Sequence, residues 1–447
     1  MRVLLLSTYD LGRQPFGLAS PAAWLRRAGC DVTCVDLSRQ KLAPDAIADA
    51  QFAAIYLPMH TATRLAMPVI QRLKTANPAL PIAAYGLYAP LNEALLRQHG
   101  VSIVLGPESE ADLVAAATSV STPGPQHTST PALSSSLARL AFIQPDRTGL
   151  PALDRYATLQ MPDGSRKIVG ATDATRGCKH RCRHCPIVPV YDGQFRVVPV
   201  DVVLADVRSH VAHGATHITF GDPDFFNGPT HARKLIDALH AEFPALTYDV
   251  IIKVEHLLRH RDLLPLLART GCLFLTSAVE SVDDDVLAKL EKGHTRADFI
   301  QAAALCRATG LTLVPTFVAF TPWTSLDSYR DLLDVVDELD LVANVAPVQW
   351  GIRLLVTWQS RLLELPDIAA LVGPFDQTTL TFPWRHQDDR VDQLQADVMH
   401  LVGVRLNASR EETFDGVRNL AKSPPREITK SPHPRTAIPY MNEPWYC

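Results

Sequence analysis

Three of the chain's eight cysteines fall within eight residues, in the run Thr175-Arg176-Gly177-Cys178-Lys179-His180-Arg181-Cys182-Arg183-His184-Cys185-Pro186. The spacing C-x3-C-x2-C brings three thiolates close enough to share one soft metal centre. Structural zinc sites and structural clusters usually take four protein ligands. Three suit a [4Fe–4S] cluster that leaves one iron open to chelate a further ligand. The competing reading is a zinc ion completed by His180 or His184. Cys30, Cys34, Cys272 and Cys306 stand in apolar surroundings and read as buried free thiols.

Around these residues the chain has 447 positions, enough for two or three domains and a large core. It is 47% hydrophobic and 20% charged, the balance of a globular protein. A formal net charge of −4 and the lack of any Lys/Arg-rich block argue against nucleic acid or an anionic membrane as partner. The opening Met1-Arg2-Val3-Leu4-Leu5-Leu6-Ser7 is too short for a signal peptide, and no apolar run reaches ~18 residues. Clustered thiols without a secretion signal fit the reducing cytoplasm.

The elements that must position the cysteines alternate. Residues 2–7, 30–37, 53–57, 82–85 and 101–105 read as strands with helical stretches between, the first helix over 20–28. That pattern predicts an α/β, Rossmann-like domain over residues 1–117. Between Thr118 and Ser136, thirteen of nineteen residues are Ser, Thr or Pro, so no periodic face can be buried and 118–136 reads as a linker. A second α/β domain over 137–358 has strands predicted at 167–173, 216–221, 247–254, 272–278, 311–318 and 345–356. Helices are predicted at 201–213, 230–243, 257–270 and 298–309, with Gly214, Gly271 and Gly310 as C-terminal caps. Six βα units suit a partial (β/α)6 TIM-like barrel, whose chemistry sits at the carboxyl ends of the strands. Residues 359–447 form a C-terminal extension, with amphipathic helices near 390–402 and 410–421, then a Pro-rich stretch.

The cysteine run after a first barrel strand resembles the radical SAM superfamily. The resemblance implies a [4Fe–4S] cluster on Cys178, Cys182 and Cys185 whose open iron binds S-adenosylmethionine (SAM), with His184 in a slot that is usually aromatic. It also implies a SAM site built from strand ends. Phe220-Gly221-Asp222-Pro223-Asp224 resembles the segment that meets the SAM amino group, and Asp222 and Asp224 could accept from an ammonium. Lys253 could pair with the SAM carboxylate. Val279-Glu280-Ser281 resembles a segment reaching the ribose and methionine parts, followed by Lys292-Gly293-His294-Thr295. Arg353, in an apolar stretch, must meet an anion, either the SAM carboxylate or an internal acid.

The N-terminal part resembles the cobalamin-binding-type domain that precedes many radical SAM barrels. Such domains often carry D-x-H-x-x-G, whose His ligates cobalt. Here Asp10 is present, but Gly12 stands where the His would be. The simpler reading is a domain that kept the fold and lost the cofactor, although cobalamin could bind without a protein ligand.

The end, Trp445-Tyr446-Cys447, is similar to the CUAEP/CCAEP-tail radical SAM group, in which a second Cys or selenocysteine and Ala-Glu-Pro follow. The departure at Cys447 gives the expectation of a selenocysteine codon read as a stop. The group includes an arsinothricin-forming enzyme. The resemblance therefore implies transfer of the 3-amino-3-carboxypropyl group of SAM to trivalent arsenic, with Cys447 holding the thiophilic arsenite. A 5′-deoxyadenosyl-radical enzyme or cobalamin-dependent methyltransferase of natural-product biosynthesis is the alternative. Either takes a small-molecule substrate and a flavodoxin-type reductase as electron donor.

Overall fold

The computed structural model describes residues 1–120, 140–405, 408–424 and 438–442. The proposed linker beyond residue 120 and the tail with Cys447 lie outside these residues. Thr118–Val120, the start of that linker, form the last turn of the helix Glu110–Val120.

The first sheet contains β1 (Arg2–Ser7), β2 (Asp31–Asp36), β3 (Phe52–Tyr56), β4 (Ile82–Tyr85) and β5 (Ile103–Leu105). All pair in parallel, in the order β2-β1-β3-β4-β5. Val3 to Leu6 are buried on both faces, as a central parallel strand between helix layers requires. In this strand order the connections reverse direction between β1 and β3, and such a switch point opens a crevice at the carboxyl ends of the strands.

The second sheet runs β13 (Thr312–Phe317), β12 (Cys272–Glu280), β11 (Thr247–Ile251), β10 (His217–Phe220), β7 (Arg166–Thr172), β6 (Thr158–Gln160) and β14 (Tyr440–Met441). Its parallel part comprises β7, β10, β11, β12 and β13. The helices Val200–Ala212, Pro229–Glu242 and Arg296–Thr309 cover it. Gly214, Gly271 and Gly310 take positive φ where helices stop, as expected for C-terminal caps. The helix predicted at 257–270 splits into Val254–Arg259 and Leu264–Arg269, because Pro265 offers no N–H to a continuing helix.

Three features differ from the sequence expectation. The sixth strand, predicted at 345–356, is not formed. Short 3-10 turns at Val342–Asn344 and Pro347–Trp350 replace it, leaving one parallel bridge from Phe320 to Arg353. Pro347 cannot donate to a ladder, and Trp350 turns inward against Phe317 and Phe414. On the opposite edge, β6 (Thr158–Gln160) pairs antiparallel with β7, and β14 (Tyr440–Met441) with β6. Neither strand was expected. The extension helices form over Asp389–Val404 and Arg410–Leu420. No helix among the described residues is long and apolar enough to cross a membrane.

Candidate functional site

The cysteine loop is carried by a hairpin. β8 (Thr175–Gly177) pairs antiparallel with β9 (Phe195–Val197). Gly177 has φ +76°, and a Cβ there would lie 2.4 Å from the Tyr191 ring and 2.6 Å from the Gln194 carbonyl oxygen. Only glycine fits the turn into Cys178. At its base, Asp222 accepts hydrogen bonds from the Ala174 amide at 3.0 Å and the Thr175 hydroxyl at 2.5 Å. Asn227 receives the Lys179 amide at 3.3 Å and lies 3.8 Å from the Cys178 sulfur.

Cys178 and Cys182 are buried and Cys185 half-buried. Burial pushes the Cys185 thiol up to about 12, with the Cys182 and Cys178 sulfurs adding to it. Burial likewise raises Cys178, reinforced by Asp224 and Cys182 and opposed by Lys253. The three sulfurs feel one another's charge, and the Lys253 ammonium stands 3.7 Å from Cys182. A soft cation relieves that repulsion by displacing the thiol protons. This donor set fits a three-cysteine cluster.

Glu280 ends β12 beside the loop. Its carboxylate meets His184 Nε2 at 3.1 Å and Lys292 Nζ at 3.2 Å. Burial works against its ionisation, but the Lys292 ammonium and His184 hold its pKa at about 2. Asp224 lies at the end of β10 between His256 Nδ1, at 2.6 Å, and His180 Nε2, at 3.2 Å. There too burial is outweighed, and the two imidazoles hold the carboxyl at about 2. The Ser281 hydroxyl accepts from the Asp283 amide at 3.1 Å.

Cys178, Cys182, Cys185, His184, Lys253, Glu280 and Asp224 therefore gather around one loop, and two sequence-predicted residues are otherwise engaged. Asp222 is fully buried and braces the base of the loop. Arg353 does meet an anion, but it is Asp392 of the extension, at 2.6 Å. Its guanidinium also donates to the Trp384 carbonyl and stacks over the Trp384 ring at 3.5 Å. Sequence reasoning missed His256 and the role of Lys292. The K-G-x-T run at Lys292 was the available signal for the second. Nothing in spacing linked His256 to His180.

Between the sheets lies a cavity of about 250 Å3. One wall is the switch-point crevice, with Phe16, Gly17, Tyr56 and Tyr85. The other includes Asp173, Gly177, Ile187 and Tyr191, so it abuts the cysteine loop. That is room for part of a small molecule near the low end of ordinary pockets, and a corrin needs far more. A Cβ on Gly17 would fall 2.2 Å from the Tyr56 ring, so that aromatic ring already fills the crevice. The residues present do not fit cobalamin with the two sheets placed as they are.

Residues 173–336 match the Radical SAM superfamily model. The chain is 24% identical over 352 residues to the hopanoid C-3 methylase of Methylococcus capsulatus, covering 72% of this chain and 64% of that protein. It is 26% identical over 132 residues to bacteriochlorophyllide d C-12(1)-methyltransferase of Chlorobaculum tepidum, covering 29% of this chain and 28% of that one. It thus spans from about a quarter to two thirds of the length of these relatives. Among solved structures, the cobalamin-dependent S-adenosylmethionine radical enzyme OxsB superposes with a TM-score of 0.65 at 14% identity, over 91% of this chain and 67% of its own. The radical SAM methyltransferase TsrM from Kitasatospora setae superposes at 0.64 with 16% identity, over 83% and 77%. These likenesses establish a shared fold, an α/β sheet followed by a curled half-barrel. Residues 173–336 are thus a radical SAM domain.

Proposed function

We propose that this enzyme is a SAM-dependent transferase of the methyltransferase type, acting on a small molecule held between its two sheets. The observation that carries this reading is the cysteine triplet set beside Lys253, Glu280 and Lys292 and against the 250 Å3 cavity. The methylases among its relatives support the transferase class. When bound, the cluster and SAM supply reductive cleavage of a sulfonium carbon–sulfur bond, with electrons from a flavodoxin-type reductase. The chain's own residues bind and orient. Lys253 offsets thiolate charge at Cys182 or pairs with the SAM carboxylate. Glu280, kept ionised by Lys292 and oriented by His184, offers oxygens to the ribose hydroxyls, with Ser281 beside it. Tyr56, Tyr85 and Tyr191 keep water out of the cavity.

Anaerobic reconstitution with iron and sulfide, then SAM and dithionite, tests the reading by mass spectrometry. SAM turnover is expected, and its loss on Cys182→Ala. No S-adenosylhomocysteine, 5′-deoxyadenosine or methylthioadenosine under any condition would overturn it. Two arms refine it. Cobalamin is named by related solved folds, yet the cavity is too small for it, so no step is drawn through it and added hydroxocobalamin is expected neither to bind nor to change turnover. The carbon–arsenic alternative rests on Cys447, outside the described residues; a SAM-derived carbon–arsenic product on adding arsenite would replace methyl transfer as the reaction.

A further inference from the structure

His180, Asp224 and His256 come from three separate segments: the cysteine loop, the end of β10 and the helix that follows β11. One ligand atom from each lies within 4.8 Å of the others. Asp224 and His256 are fully buried, and His180 is 12% exposed at its side chain. The nitrogens stand 2.6 and 3.2 Å from the same carboxylate oxygen, Asp224 Oδ2. Both nitrogens crowd that one oxygen, and the far nitrogen of His256, Nε2, has no hydrogen-bond partner among the described residues. Buried polar atoms left unpaired are costly.

A second carboxylate orients the His180 ring from its other side. Glu255 Oε2 lies 3.6 Å from His180 Nδ1. Two cations oppose that charge at Glu255: Arg259 at 2.6 Å and Lys253 at 3.9 Å. Metal–ligand bonds of about 2.1 Å set neighbouring ligand atoms roughly 3.0–3.4 Å apart, so His256 Nδ1 and Asp224 Oδ2 move apart by a few tenths of an ångström to admit the ion.

We propose that His180, Asp224 and His256 bind a divalent first-row transition metal, separate from the three-cysteine site, that ties the cysteine loop to the ends of β10 and β11. Two imidazoles and one carboxylate suit such an ion and leave positions for water, with Glu255 orienting His180 through its far nitrogen. The inference is independent of which group the enzyme transfers.

The test uses the full chain with Cys178→Ser, Cys182→Ser and Cys185→Ser, titrated anaerobically with Co2+. One equivalent should bind with ligand-field bands of a nitrogen–oxygen site and without sulfur-to-cobalt charge transfer. His256→Ala in that background should abolish it, and Glu255→Gln should weaken it about tenfold. Absence of binding, thiolate charge-transfer bands, or an unchanged stoichiometry on His256→Ala would overturn the proposal. Should the serine variant not fold, metal analysis of the reconstituted wild-type enzyme decides. One non-cluster metal per chain is expected there, lost in Asp224→Asn with cluster sulfide retained; no such metal, or its retention in Asp224→Asn, rejects the site.

Discussion

Glu280 is held in a conformation that its side chain does not choose. Its φ is +69°, a region that costs a residue with a Cβ about 1 kcal/mol or more. The strain coincides with an irregular register between Ala278 and Glu280 on the β13 side. That irregularity aims the carboxylate at His184 and Lys292 instead of along the strand. Lys292 is only 3% exposed, so the pair is mutually dependent. Removing one partner strands the other charge, at about 3–5 kcal/mol. If Glu280 served packing alone, relieving both charges would restore everything. For Glu280→Gln we expect SAM affinity to fall ~10–100-fold, the loss of a charged hydrogen bond worth roughly 1.5–3 kcal/mol, together with lower thermal stability. The double variant Glu280→Gln/Lys292→Met should recover the stability but not the affinity. Calorimetric titration of the reconstituted enzyme with SAM, beside thermal unfolding, separates the two effects. Recovery of both would make the pair structural only.

At the scale of elements, the β8–β9 hairpin decides whether three thiols form one site. Its turn into the loop depends on Gly177, whose position leaves no room for a methyl group between Tyr191 and the Gln194 carbonyl. Gly177→Ala should therefore move Cys178 out of line. We expect bound iron and sulfide to drop several-fold while far-ultraviolet circular dichroism is kept, and full iron loading would refute this role for the hairpin. Such local geometry also explains what could be read in advance. β1 was legible because a strand buried on both faces is a continuous apolar run. The cysteine triplet was legible because all its ligands come from one loop. The stretch 345–356 looked like a strand by its apolar residues, but Trp350 satisfied its burial through a 3-10 turn. β6 and β14 are too short to carry a period. The grouping of His180, Asp224 and His256 exists only once β10 and β11 lie side by side. Arg353 shows the limit from the other direction: charge physics required an anion, and the fold supplied Asp392.

At the scale of the molecule, the two sheets meet through charge as well as apolar surface. Arg176, next to Gly177, pairs with Glu110 at 2.7 Å, both side chains under 10% exposed. Arg147 pairs with Asp206 at 2.8 Å and donates to Gln14 at 3.1 Å. Asp10, in the loop after β1, faces this network with Asp36 from the end of β2 and Asp173 from the end of β7. Burial lifts its pKa from 3.8 to about 7, Asp173 and Asp36 push the same way, and Arg13 and Arg147 oppose them. The sign of the consequence follows from proton counting. Between pH 3.8 and about 7 the folded chain holds a proton at Asp10 that the unfolded chain has released. Asp10 therefore lowers stability progressively as pH rises through that window and by a constant amount above it. At ~1.4 kcal/mol per pH unit the ceiling is about 4 kcal/mol. Asp10 is only half-buried, and solvent screening brings the expectation down to about 1–2 kcal/mol. Asp10→Asn keeps the shape and removes the ionisation. Its melting temperature should match wild type near pH 4 and exceed it by about 1–2 °C at pH 8, the gap opening between pH 4 and about 7. A gap independent of pH, or one that opens on acidification, would show that Asp10 is ionised in the folded enzyme and that Arg13 and Arg147 outweigh its burial.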